Sequence, residues 1–203
     1  DSLDPNNYPE HLIERARLGW TENTLNEYCA TAAMGKLVQI LVEANAPVDL
    51  IAMASEFAKE EILHVILCSR VTMILGGGAA MAYNPDDMVF KLDNSLTPLQ
   101  KANEMVLKLC CVSEAFSFPM LRGQMQSAAH PLTKAVLKTI VQDERHHGIL
   151  GFMYMDWVKD RLDDTEKQRL GRLAKETAEE FHEIWERLRT SADIFHDLSR
   201  RSE

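Results

Sequence analysis

Residues that interrupt helices are scarce in this chain. Nine Gly and seven Pro occur in 203 positions, mostly at the ends of long apolar-periodic stretches. That scarcity excludes a low-complexity tail or a strand-rich sandwich and favours an all-α protein. No stretch approaches the roughly 18 consecutive apolar residues of a spanning helix, so no membrane partner is expected. No basic segment followed by an apolar run opens the sequence, so no secretory leader is expected and the location is read as cytoplasmic. Cysteine is sparse as well. Cys29, Cys68, Cys110 and Cys111 fall inside helical patterns without a Cys-x-x-Cys pair, which reads as buried, reduced thiols. Basic charge is in the minority: 22 Lys and Arg face 31 Asp and Glu, for a net charge of −9. An acidic surface repels phosphate backbones, so nucleic acid is not the expected partner.

What remains is a succession of long amphipathic stretches. A short helix is expected over residues 9–18, then a first long helix over about 21–44 with Thr21 as its N-cap. Asn45-Ala46-Pro47 is a tight turn into a second helix over 47–75, which stops at Gly76-Gly77-Gly78. Residues 76–96 form the longest connection, including the turn-forming Asn84-Pro85-Asp86-Asp87. A third helix is expected over 97–128, opening Thr97-Pro98, and a fourth over 131–162 after the His130-Pro131 break. A charged fifth helix closes the pattern over about 164–190. Short links join helices one to two and three to four, while a long one joins two to three. That is the pattern of a single-domain antiparallel four-helix bundle with one long crossover, over residues 20–162, plus an additional C-terminal helix.

Two Glu-x-x-His motifs, Glu61/His64 and Glu144/His147, stand on the second and fourth helices. A spacing of three puts both side chains of each pair on one helix face, where they can reach the same cation. A third copy, Glu179/His182, lies in a dense run of mixed charge and reads as a solvated face. Glu61 and His64 differ, because everything else from Ile62 to Cys68 is apolar. On the first helix Glu27 is the only charge between Glu22 and Lys36, and on the third Glu114 is the only charge between Lys108 and Arg122. A lone Glu midway along an apolar helix is unusual, since a buried carboxylate without a partner costs several kcal/mol. A metal-free structural bundle would have to leave these carboxylates unpaired.

The set Glu, Glu-x-x-His, Glu, Glu-x-x-His, in this order and with this crossover, resembles the ferritin-like di-iron carboxylate proteins. The resemblance implies two iron ions, with manganese an alternative in one position. It assigns Glu27, Glu61 and His64 to one ion and Glu114, Glu144 and His147 to the other, with Glu61 and Glu144 bridging. These six are also the catalytic residues it implies. Glu60 and Asp143 each stand four residues before a motif histidine and are candidates to orient the histidine of the opposite helix, Asp143 with His64 and Glu60 with His147. His146 faces away and is read as non-ligating. Thr31, Cys68, Cys110, Gly148 and Gly151 lie one turn from the ligands and are candidates for a small-residue substrate pocket, close helix packing being the alternative. Pro119 predicts a kink one turn past Glu114. Tyr28 and Tyr154 read as core aromatics near the site, a part in electron transfer being the alternative.

A reduced di-iron pair of that kind uses O2 as co-substrate. The expected activity is therefore that of a non-haem oxygenase or oxidase, hydroxylating or otherwise oxidising a small organic molecule. No flavin, dinucleotide or Cys-ligated iron motif is present, so a separate reductase is expected as electron donor. The competing activity is Fe(II) oxidation for iron handling, or peroxide scavenging. The long apolar helix faces are also compatible with a homodimer.

Overall fold

The computed structural model describes residues 3–80, 84, 86 and 89–200, with side chains described as far as Glu183. Asn84 and Asp86 of the expected turn are among them, whereas Pro85 and Asp87 lie outside. The described residues are helical, with no strand: α1 (Glu10–Glu43), α2 (Val48–Ile74), α3 (Pro98–Val106), a wide π-helical turn (Leu107–Ser113), α4 (Glu114–Ser127), α5 (Pro131–Val158) and α6 (Asp164–Arg200). No helix among the described residues is long and apolar enough to cross a membrane.

Local chemistry sets the helix ends. Beyond α1, Asn45 adopts φ 53°, and the N–H groups of Asn45 and Ala46 donate back to Val42 and Leu41. The same closure ends α2, where Gly76 and Gly77 take positive φ and donate to Met73 and Thr72. Both are Schellman closures, which need a residue that tolerates the left-handed region. Thr97 opens α3 with a capping box: its hydroxyl accepts from Gln100 N–H while the Gln100 side chain accepts from Thr97 N–H. At α5 the imidazole of His130 caps the chain, its Nδ1 accepting from Leu132 N–H at 3.1 Å.

Three expectations about helix extent are corrected. The short N-terminal helix and the first long one are a single helix, α1. Thr21 does not cap it, because its hydroxyl donates back to the Arg17 carbonyl at 2.7 Å within the helix. The third helix is interrupted ahead of Glu114 by the wide turn, and Pro119 sits inside α4 without ending it. In the wide turn the N–H of Glu114 reaches Leu109 O, five residues back. The last helix continues to Arg200.

α1 lies along α2 and α4 along α5, while α1 also meets α3 and α2 meets α5. Two apolar clusters form the core, and their order along each helix gives its direction. From Trp20, α1 passes Glu27 and then Met34 to Leu41, and α5 likewise passes from Val136–Val141 through Glu144 and His147 to Leu150–Val158. α2 runs the other way, from Leu50–Phe57 through Glu61 and His64 to Cys68–Leu75. The third stretch matches α2: Ala102–Cys110, then Glu114, then Leu121. The connection after α2 therefore carries the chain from one apolar cluster back to the other. Leu37 and Leu41 are fully buried, each contributing about 1.5–3 kcal/mol. The charged side chains lie where the two clusters meet.

A second polar group fastens α6. Tyr154 Oη donates to Asn103 Oδ1 at 2.8 Å, and Asn103 Nδ2 donates to Glu166 Oε1 at 2.9 Å. Arg169 donates to both Glu166 oxygens, to Glu104 Oε2 at 2.8 Å and to the Gln100 carbonyl. Tyr154 is fully buried, as expected of a core aromatic, whereas Tyr28 is 52% exposed and is not one.

Candidate metal centre

Each of the four helical stretches delivers its acidic or imidazole groups to one buried place. Glu27, Glu61, His64, Glu144 and His147 are buried, and the Glu114 side chain is 12% exposed. The spacing of three holds Glu61 beside His64 on α2 and Glu144 beside His147 on α5. Two groups form, Glu27–Glu61–His64–Glu144 and Glu114–Glu144–His147, each with one ligand atom per residue and those atoms within 4.8 Å of one another.

The contacts inside the cluster have a consistent sense. His64 Nδ1 faces Glu27 Oε2 at 3.4 Å, Glu61 Oε2 at 3.5 Å and Glu144 Oε1 at 3.5 Å. His147 Nδ1 faces Glu144 Oε2 at 3.0 Å, Glu61 Oε1 at 3.3 Å and Glu114 Oε1 at 3.9 Å. Glu61 and Glu144 thus give one oxygen to each histidine, while Glu27 and Glu114 serve one each. The outer ring nitrogens are engaged elsewhere: His64 Nε2 with Asp143 Oδ2 at 3.2 Å, and His147 Nε2 with Glu60 Oε2 at 3.0 Å. This is the crossed pairing that the sequence suggests. A carboxylate only accepts, so Nε2 carries the proton and Nδ1 turns its remaining site inward.

Hydrogen bonding does not satisfy that inward site. Neither His64 Nδ1, His147 Nδ1 nor Glu61 Oε2 has a hydrogen-bond partner, although each is buried. The carboxylate oxygens surround each nitrogen without lining up on it. Acceptors gathered round a point, off the hydrogen-bond axis, fit a cation at that point. Oxygen and imidazole donors suit first-row divalent metals, and these residues can hold such ions.

The electrostatics divide the carboxylates in two. Burial raises Glu27 to about 7 even though His64 pulls the other way. Burial also pushes Glu114 well above the usual carboxylate range, with Glu144 adding to the rise. For Glu144 burial again acts upward, but His147 and His64 outweigh it and hold the carboxyl at about 2. Glu61 is lowered for the same reason. Burial works against the charged imidazoles, yet Glu144 and Glu61 raise His147 to about 11, and Glu144, Glu27 and Glu61 raise His64 too. Without a metal, the two imidazoles provide the positive charge and the two outer glutamates hold their protons to higher pH than an ordinary carboxyl. Burial raises the thiols, Cys68 to about 12 and Cys111 to about 11, so they are not thiolate ligands.

The candidate pocket residues have a different fate. Thr31 is half-buried, with its hydroxyl turned back to the Glu27 carbonyl at 3.0 Å. Cys68 and Cys110 belong to the two apolar clusters. A Cβ added at Gly151 would meet Cys111 Sγ at 2.8 Å and the Cys110 carbonyl at 2.9 Å. At Gly148 it would lie in ordinary contact with Glu114 Cβ, 3.7 Å away. At Gly151 the small residue lets α5 approach the wide turn closely, the helix-packing alternative to a pocket. His146, Glu179 and His182 are exposed, away from the cluster.

Sequence reasoning missed two contributors. Ser117 Oγ donates to Glu114 Oε2 at 3.3 Å, and the Phe57 ring lies against His147 with centroids 4.3 Å apart. Both stand at helical spacing from a cluster glutamate, Ser117 three residues after Glu114 and Phe57 four before Glu61, and that spacing was the available signal. No family model matches this chain, and no curated protein or solved structure is measurably similar to it. Its chemistry has to be read from the cluster.

Proposed function

We propose that the chain is an O2-dependent oxidoreductase of the ferritin-like di-iron carboxylate type, oxidising a small organic substrate with electrons from a separate reductase. The observation that carries this reading is the pair of inward Nδ1 atoms, unpartnered and each ringed by carboxylate oxygens. Helix order, helix directions and the crossover after α2 agree with that architecture. Glu27 and His64 would hold one iron, Glu114 and His147 the other, and Glu61 and Glu144 would be shared; four carboxylates match the charge of two Fe(II) ions. When bound, the reduced iron pair supplies the electrons and open positions that activate dioxygen. For a hydroxylation, one oxygen atom enters a substrate C–H bond. The other leaves as water, with two protons and two electrons from the donor.

The chain's own groups have definite tasks in this reading. Asp143 and Glu60 fix the orientation of both imidazoles and strengthen them as donors. Ser117 steadies Glu114, the most exposed carboxylate of the set. The two apolar clusters exclude water on either side, which confines a reactive oxidant.

Anaerobic loading with Fe(II), followed by oxygen exposure with and without an organic substrate and a reductant, tests the proposal. Two Fe per chain, and oxygen uptake that rises with substrate, support it. Turnover of many Fe(II) per chain into a ferric mineral supports iron handling instead, and no iron uptake overturns both.

A further inference from the structure

α4 and α5 face each other across a second feature, next to the cluster and outside it. A groove of about 640 Å³ is lined by Phe118, Arg122 and Met125 of α4 and by Lys134, Lys138, Val141, Gln142 and Arg145 of α5. On α4 these lie four and then three residues apart, and on α5 they follow at steps of four, three, one and three. Each set forms one helix stripe, and the stripes oppose each other. All four charged groups of the lining are cations and none is an acid, in a chain whose net charge is −9. Among the described residues, none of these cations has an acidic partner.

The floor of the groove is apolar. Val141 is buried, and Phe118 and Met125 are half-buried against the apolar cluster formed by Leu121, Val136 and Ile140. The cations stand exposed on the rim. Gathering like charges costs free energy through mutual repulsion, and no ion pair among the described residues offsets it. An amphipathic anion would, by bringing negative charge to the rim and apolar surface to the floor. The size is that of a small-molecule site.

Position links the groove to the cluster. Phe118 stands one turn past Glu114 on α4, and Val141 stands one turn before Glu144 on α5. Arg122, Lys134 and Lys138 occupy the end remote from those glutamates. From Lys134 to Arg145 the rim extends about 16 Å at the rise of an α-helix.

We propose that this groove binds an amphipathic organic anion of medium length. Its carboxylate or phosphate sits among Arg122, Lys134 and Lys138, with Met125 beneath it at the remote end, and its apolar body lies over Phe118 and Val141 towards the Glu/His cluster. Binding stands on the groove alone; that the bound molecule is the substrate rests on the di-iron reading above. The charges give affinity and orientation, and the apolar floor selects against small inorganic anions.

Equilibrium titration of the full chain, with and without Fe(II), tests this with four ten-carbon probes: decanoate, decyl phosphate, decanol and decyltrimethylammonium. Both anions bind at least about tenfold tighter than the alcohol, and the ammonium binds weakest. The double variant Arg122→Glu/Lys138→Glu loses about tenfold or more for the anions and little for decanol. Lys138→Arg retains binding, and Lys91→Glu, an exposed lysine outside the groove, changes nothing. Equal affinity for decanol and decanoate overturns the proposal, as does anion binding that survives the double variant. Tight, groove-dependent binding of an oligonucleotide or an acidic protein with no binding of the decyl anions also overturns it. Anion binding by a protein that takes up no iron upholds the groove while refuting the di-iron reading, so the two failures are distinguishable.

Discussion

Two buried polar groups lie in the same helical core, and they are built on opposite principles. Around Tyr154, Asn103, Glu166 and Arg169, each donor meets an acceptor: hydroxyl to amide, amide to carboxylate, guanidinium to two carboxylates and a carbonyl. Around Glu27, Glu61, Glu114, Glu144, His64 and His147, the outer ring nitrogens are hydrogen-bonded, but three buried inward atoms, both Nδ1 and Glu61 Oε2, have no hydrogen-bond partner. The first group is complete in itself and pins α6 to α3 and α5. The second is complete only with added positive charge. A closed network is a device of stability, whereas an acceptor-rich one trades stability for binding.

The largest expected effect breaks the open cluster. Glu114→Ala removes an outer carboxylate of one candidate metal group, so on the di-iron proposal two-metal occupancy is lost and stabilisation by added Fe(II) falls sharply. At saturating metal that stabilisation is worth about 4 kcal/mol in the intact protein. Metal analysis and thermal melts with and without Fe(II) measure it. If the variant still binds two ions per chain, Glu114 is no ligand.

The closed network should respond differently. Arg169→Ala leaves Glu166 and Glu104 facing each other without their shared cation. Arg169 is 24% exposed, so the expected loss is about 2–3 kcal/mol, below that for a fully buried pair. It appears equally with and without metal in denaturant unfolding. A loss that vanished on metal addition would mean that the two groups are coupled and the contrast is false.

Much of the open cluster is legible in the sequence, whereas the closed network of Asn103, Glu166 and Arg169 is not, and the illegible part has a physical cause. Glu27 and Glu114 stand out because no other charge shares their helix face, and Glu61/His64 because apolar residues follow. Helix directions followed from link lengths. Thr21 misled because a threonine hydroxyl can cap a helix or fold back on its own turn, and local sequence does not say which. The wide turn before Glu114 leaves no periodic mark. Its trace is on the other helix, at Gly151, where a Cβ would strike the Cys110 carbonyl. The basic groove is scattered over Arg122, Lys134, Lys138 and Arg145, and it becomes one feature only when α4 and α5 lie side by side.

Removing charge without removing shape sharpens the comparison further. Glu27→Gln should stabilise the metal-free protein at pH 8 by on the order of 2 kcal/mol and weaken metal binding. The direction follows from the raised carboxyl. The unfolded chain ionises this group from about 4.5 while the folded chain holds its proton to about 7. Metal-free stability therefore falls as pH rises through that window and stays low above it. His147 continues the fall, its stabilising charge being lost between 6.5 and about 11. Glu144 acts oppositely, its contribution disappearing as pH drops from 4.5 towards about 2. Metal-free melts should be highest near pH 5, and metal binding at neutral pH should release protons. Melts of the metal-free wild type that rise from pH 5 to 8 would contradict the assignment.

Asp143→Asn tests a smaller term. The amide can still accept from His64 Nε2, but without full negative charge it polarises the imidazole less. Metal affinity should drop about tenfold, or about 1.4 kcal/mol, with metal-free stability little altered. Unchanged affinity would reduce Asp143 to a rim residue.

The smallest expected effect is the most discriminating for how motifs are read. Glu179 and His182 share the Glu-x-x-His spacing of the two buried pairs, yet both are exposed, and Glu179 pairs only loosely with Lys175 at 3.7 Å. An exposed pair of this kind is worth little, because water already solvates both charges. Glu179→Ala should shift stability by less than about 0.5 kcal/mol and leave metal stoichiometry unchanged. Spacing alone is shared by all three motifs; what separates them is whether helices from other parts of the chain close over the pair and deny it water. A measurable loss of bound metal in Glu179→Ala would show that burial is not what makes this motif a ligand.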